Sequence, residues 1–289
     1  MKRLDLSEII FKVIAYTLVT LFALSTLYPF IYSISAALSG KVAMDSGKVV
    51  LFPVDFSWNA IAAFFSDPIF AADLWISYTN TLFYTFYGTI FSMVISIFAA
   101  YALSKTNLLF KRQISFFIVF TMWFSAGLLP MYFNYRDLFV DNRWGIIYGF
   151  GVQAFNIILL RNYFSSISKE IEEAAIVDGA NEFQLLSSVY LPMSKSAIAT
   201  VTLFYALSRW NGYFWNMRLV DDDIQHPLQV VLQRIVAKAG DSEYTSNYDF
   251  SLRSLAYAAI VLSVIPIIIV YPYLQKYFAR GVNVGGVKE

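Results

Sequence analysis

The chain has 289 residues, 58% hydrophobic and 14% charged, with a net charge of +1 and a mean hydropathy of +0.58. Soluble domains carry about 25% charged residues, so this composition belongs in a bilayer, and the lack of any basic cluster excludes a nucleic-acid binder. With no cysteine and a single histidine, His226, the sequence holds no disulfide, thiolate site or cysteine nucleophile, and no set of ligands for a metal.

A hydrocarbon core of about 30 Å takes roughly 20 apolar residues per helical crossing. Windows of that kind lie between Lys12 and Lys41, Asp73 and Lys105, Arg112 and Arg136, Arg143 and Arg161, Lys195 and Arg218, and Arg253 and Lys276, with Arg209 the one charge inside them. The pattern predicts an all-α membrane protein, a single transmembrane domain over 1–289 with six transmembrane helices.

The first helix, 13–34, exceeds the roughly 7–15 apolar residues of a signal peptide and is read as retained. A loop over about 38–77 with Pro53, Trp58 and Pro68 leads to the second, 78–103, and a short basic loop from Lys105 to Arg112 leads to the third, 114–133. The fourth covers 144–160, the fifth 196–217 and the sixth 255–273, with a loop over about 218–250 between the last two. Positive residues are retained on the cytoplasmic side. Lys2, Arg3, Lys12, Lys105, Lys111, Arg112, Arg161, Lys169, Lys195, Lys276, Arg280 and Lys288 make the richer set, whereas Asp221, Asp222 and Asp223 fall in the poorer one. Both termini are therefore expected in the cytoplasm, with the 38–77 and 218–250 loops outside. Leu228, Val231, Leu232 and Ile235 form an apolar helical stripe in the second outer loop.

The long inner loop, about 166–195, reads as helix, turn, helix: Ile171, Ala174, Ala175 and Val177 precede Asp178-Gly179-Ala180, and Phe183, Leu185, Leu186 and Val189 lead to Leu191-Pro192. Gly179 suits a turn of positive φ and Pro192 a second boundary. Membrane-surface helices are rich in Lys and Arg, but this one carries Glu170, Glu172, Glu173, Asp178 and Glu182, which suits a protein partner better than anionic lipid.

Glu173-Ala174-Ala175, Asp178-Gly179-Ala180 and Leu191-Pro192 together resemble the EAA loop of binding-protein-dependent ABC importers. The tail Gly285-Gly286-Val287-Lys288 and the six-helix layout resemble the smaller subunit of the maltose-type carbohydrate permeases, nearest their oligosaccharide and uronide-oligosaccharide branch. One departure is Ser196, where many relatives have a second proline.

The resemblance implies a type I ABC importer permease fold in a bacterial cytoplasmic membrane. It implies that Glu173, Ala174, Ala175, Asp178, Gly179 and Ala180 form a cytoplasmic coupling helix and turn docked on an ATPase. The partners it implies are a homologous second permease, two ATPase subunits, an extracytoplasmic solute-binding protein and an oligosaccharide. ATP and Mg would sit on the ATPase subunits, since this chain has no phosphate-binding loop and binds no cofactor of its own. A secondary transporter is the alternative class, but ion coupling places ionisable groups in the spans, and here only Arg209 is charged. An ABC permease for a non-sugar solute is a further alternative.

Aromatic faces with amide groups suit sugars, because ring C–H faces stack and hydroxyls need planar partners. Trp123, Gln153, Asn156, Arg209, Trp210, Asn211 and Tyr213 are the candidates for the substrate pathway, against the alternative that such aromatics only form interfacial belts. Arg209 lies about 14 residues beyond Lys195, roughly 21 Å up the fifth helix. Two roles are open to it: pairing with backbone carbonyls or snorkelling outward, or meeting the carboxylate of an acidic oligosaccharide.

Overall fold

The computed structural model describes residues 6–238 and 248–281, with side chains described to 272 and not at 69. Lys2, Arg3, the 285–288 tail motif, part of the 218–250 loop and the side chains of Lys276 and Arg280 lie outside the described residues. Those described are almost wholly helical, and Ser39 opposite Phe56 is the one isolated bridge among them.

The described chain divides into two compact units, Met1–Leu74 with Leu232–Pro266 and Trp75–Val231 with Ile267–Glu289. In the first, α1 (Leu6–Ala37) carries Pro29 inside and is exposed along nearly its whole length, burying only Ser35, Ala36 and Ala37. The 38–77 loop folds into short helices, α2 (Lys41–Asp45) and α3 (Asn59–Ser66). The loop is pinned by side chains: Ser35 Oγ donates to the Leu51 carbonyl at 2.7 Å, the Val54 amide donates to Ser39 Oγ, and Ser251 Oγ donates to the Asp45 carboxylate at 2.5 Å. Ala36, Ala43, Met44 and Val49 close a small core against Tyr32 and Tyr257.

α4 (Pro68–Ser104) starts earlier than predicted, because a proline in the first turn has no useful N–H to lose and φ already set for a helix. In the second unit α5 (Lys111–Trp123) and α6 (Leu128–Asp137) replace the predicted third span. They part at Gly127, whose φ of +86° an α-helix cannot contain. α7 (Arg143–Gly149) and α8 (Ala154–Ser165) divide the fourth span with a 50° bend. After α8 come α9 (Lys169–Val177), α10 (Glu182–Gln184), a π-helix (Leu185–Tyr190) and α11 (Leu191–Met193). α12 (Lys195–Trp210) and α13 (Phe214–Leu219) share the fifth span, and α14 (Leu228–Lys238) and α15 (Leu252–Gly281) follow.

α1, α4 and α15 are each long and apolar enough to cross a membrane, and the bent α7–α8 pair makes a fourth candidate among the described residues. The 13 residues of α5 and 16 of α12 fall short of the roughly 20 a straight crossing takes, so the count of six is not reached by unbroken helices. Composition identifies apolar windows, whereas local glycines and buried polar partners decide where a helix breaks. The main core of the second unit joins Ala100, Leu160, Phe164, Leu185, Val201 and Tyr205 from α4, α8, the π-helix and α12.

Candidate coupling face and membrane cavity

The 166–195 loop adopts the expected helix–turn–helix. α9 ends in the turn glycine requires: Gly179 has φ +86°, the Ala180 amide donates to the Ala175 carbonyl at 3.0 Å, and the Gly179 amide to that of Ile176 at 2.9 Å. These paired bonds satisfy carbonyls that a helix end leaves bare. Asn181 then caps α10 in a reciprocal box with Gln184. Pro192 does not end the helix. The wide turns of the π-helix precede it, relieving the clash of its ring with the preceding turn, and the break falls at Ser194.

Glu173, Ala174, Ile176, Val177, Asp178 and Phe183 are exposed, Val177 at 87%. Ala175 and Ala180 are half-buried against the main core, so of the three motif alanines only Ala174 faces outward.

Glu172 turns the other way. One carboxylate oxygen lies 2.5 Å from Lys105 Nζ and the other accepts from the Tyr190 hydroxyl at 2.6 Å. Lys105 also lies 3.5 Å from Glu182, which accepts from the Tyr101 hydroxyl. The ammonium stands over both rings, 4.5 Å from Tyr101 and 4.8 Å from Tyr190, and the rings meet edge to face at 4.9 Å. Burial works against charge on Lys105, but the hydrogen bond and charge of Glu172 outweigh it and raise its pKa. Glu172 is likewise opposed by burial and held below the usual carboxylate range by Lys105 and Tyr190. Burial and the bond to Glu172 push the Tyr190 hydroxyl up to about 12.

The second feature is a cavity of about 220 Å³ whose lining includes Gln153, Ser208, Arg209, Tyr213, Trp215 and Asn216. It lies where α7 and α12 both end. The Arg209 side chain is buried and its guanidinium donates to the carbonyls of Ile146 at 3.3 Å, Ile147 at 3.3 Å and Phe150 at 2.5 Å. Of these, the Ile147 and Phe150 carbonyls are acceptors freed where α7 stops, and that of Ile146 also accepts from the Phe150 amide at 3.2 Å, so the carbonyl-pairing arrangement is the one observed, directed inward and not to the surface. Gly88 on α4 permits the approach, since a Cβ there would stand 2.8 Å from Arg209 Nε. Across the α7–α8 break the Gln153 backbone N–H donates to the Tyr205 hydroxyl at 3.1 Å, and that hydroxyl pairs with Ser96 Oγ at 2.6 Å.

Of the sequence candidates for the pathway, Gln153, Arg209 and Tyr213 meet in this cavity. Asn156 is fully buried and donates to Gln153 at 3.3 Å, Trp210 is buried against Tyr78, and Asn211 caps the end of α12. Trp123, 87% exposed at the end of α5, stands apart from it. Sequence reasoning missed Asn216 and Ser208 in the lining, and Tyr101, Lys105 and Tyr190 around Glu172. Lys105 is 67 residues from Glu172, and no spacing rule connects them.

A family model described as binding-protein-dependent transport system inner membrane component matches residues 69–284. The chain belongs to that family. The permease is 36% identical over 285 residues to the polygalacturonan/rhamnogalacturonan transport system permease protein YtcP of Bacillus subtilis, covering 96% of this chain and 98% of that one. It is 26% identical to the maltodextrin transport system permease protein MdxG of the same organism, covering 96% of each. Among solved structures, it matches a chain of a bacterial ABC transporter involved in the import of the acidic polysaccharide alginate. That match has a TM-score of 0.86 and 44% identity, covering 96% of this chain and 100% of that one. The fold is thus that of the importer permeases.

Proposed function

We propose that the permease is one of two homologous membrane subunits of an ATP-driven importer of carbohydrate, an oligosaccharide delivered by an extracytoplasmic solute-binding protein. It forms half of the translocation pathway as one membrane domain with six crossings, some broken, and both termini in the cytoplasm. Two ATPase subunits hold ATP and magnesium and dock on the 166–195 loop.

The observation that carries this reading is the exposed face of Glu173, Ala174, Ile176, Val177 and Phe183 around the Gly179 turn. Apolar groups beside a carboxylate, outside the apolar helices, suit a protein cleft with a cation at its edge. The carbohydrate assignment draws on the relatives' substrates, polygalacturonan/rhamnogalacturonan, maltodextrin and alginate. It also draws on a cavity that mixes the Tyr213 and Trp215 rings with the Gln153 and Asn216 amides.

Affinity purification of the chain from its own membranes tests the assignment. A second permease and an ATPase should co-purify, and the complex should take up oligosaccharide only with ATP and the binding protein. Uptake or exchange by this chain alone would show a secondary transporter.

A further inference from the structure

The structure points to Lys105 as a positioning residue for energy coupling. We propose that it locks both limbs of the helix–turn–helix to the end of α4, so that the loop moves with α4 as one lever. The inference rests on the proposed docking of that loop on an ATPase, but it concerns contacts on the opposite face.

A helix–turn–helix joined at Gly179 can hinge there, because glycine has the widest choice of backbone angles and only two backbone hydrogen bonds close the turn. Pushing on α9 alone would then be absorbed at the turn. Lys105 spans that hinge. It sits just past the end of α4 at Ser104 and bonds Glu172 on α9, before the turn, at 2.5 Å, and lies 3.5 Å from Glu182, after it. Tyr101, on the last turn of α4, bonds the backbone and side chain of Glu182, and Tyr190 bonds the free oxygen of Glu172.

An exposed ion pair of this type contributes little, since two long side chains must be ordered in water. Here the Lys105 and Glu172 side chains keep only 16% and 24% of their exposure, and Glu182, exposed at 73%, is held chiefly by the Tyr101 hydroxyl. The ammonium lies over both of two rings that meet edge to face, and both carboxylate oxygens are engaged. Charge, cation–π contact and hydrogen bonds agree on one geometry, which preorganises the loop. Neighbouring acids divide the work: Glu172 faces α4 and Glu173 faces outward.

The test uses the complete transporter. Lys105→Met keeps a stem to pack over the rings and removes the charge. In proteoliposomes it should retain the ATPase subunits and basal hydrolysis while sugar moved per ATP falls several-fold, and Lys105→Arg should restore most of the ratio. A second readout is independent of transport. The chain has no cysteine, so nitroxides at Asn107→Cys and Lys169→Cys, in a complex whose partners lack reactive cysteine, report the spacing of α9 from the end of α4. The distance distribution should be narrow, broaden with Lys105→Met and narrow again with Lys105→Arg. An unchanged distribution, or an unchanged ratio in Lys105→Met, overturns the proposal. A complex that moves no sugar with ATP but shows the predicted broadening would refute the transport assignment and leave the lever standing.

Discussion

The Arg209 guanidinium donates to the Phe150 carbonyl at 2.5 Å, closing the gap between the end of α12 and the break after α7. Stopping a helix within the membrane leaves carbonyls without helical donors, and Arg209 supplies donors to the two left bare, Ile147 and Phe150, and a further one to Ile146.

Arg209→Gln removes the fork and leaves buried acceptors bare, at about 1–3 kcal/mol for each one unsatisfied. The expected result is a lower melting temperature of the purified complex, with uptake of acidic and neutral oligosaccharides of equal length reduced alike. Loss confined to the acidic sugar would instead place Arg209 against the substrate. Gly88→Ala should produce a milder form of the same defect, because its methyl would lie 2.8 Å from Arg209 Nε.

Tyr205→Phe tests the other strut across the break. Its hydroxyl accepts from the Gln153 backbone N–H and pairs with Ser96, so its removal should destabilise the fold by about 1–3 kcal/mol. Thermal unfolding in detergent, followed alongside Phe204→Leu on the same helix as a control, measures it. Equal stability of Tyr205→Phe and wild type would show that the break is held without this hydroxyl.

Gly179→Leu and Glu173→Lys should leave insertion intact while lowering sugar-stimulated ATP hydrolysis. A side chain at φ +86° costs roughly 1–2 kcal/mol of backbone strain and tilts the turn, and a reversed charge repels the cation Glu173 is proposed to meet. Purified complexes carrying either change with normal ATPase retention and stimulation would make both ordinary loop residues.

The ion pair at Lys105 should be insensitive to pH across the neutral range. Glu172 is held below its ordinary value of 4.5, so its contribution is complete above that value and fades only as pH falls through the lower folded one. Lys105 is raised above 10.5, so its contribution is complete below that value and fades as pH rises through the higher folded one. Sugar moved per ATP should therefore stay constant between about pH 6 and 9. A ratio that falls steeply inside that window would assign coupling to a group of intermediate pKa.

Much of the architecture was legible in the sequence, because apolar windows between charges are what a bilayer imposes, and Asp178-Gly179-Ala180 carries its turn in the glycine. The breaks in the third, fourth and fifth spans were not. Gly127 and Gly151 look like ordinary glycines of a membrane helix, and only Arg209, Tyr205 and Ser96, brought in from distant segments, make interruption inexpensive at the fourth. Pro192 misled in the opposite sense, since the π-helix before it accommodates the ring. Of the pathway candidates chosen by residue chemistry, Gln153, Arg209 and Tyr213 share one cavity, whereas Trp123 shares only their composition and not their place. The partners of Glu172 lie on another helix, and a single sequence carries no signal for such a pairing.

The most direct test of the central claim is ATP-driven uptake by the complex reconstituted from this permease, its second permease, its ATPase and its binding protein. Oligosaccharide accumulation should require all four components and stop when the exposed Glu173–Phe183 face is disrupted by Val177→Asp with Phe183→Asp. Accumulation by the permease without an ATPase, or full ATP-coupled uptake by the doubly substituted protein, would contradict it.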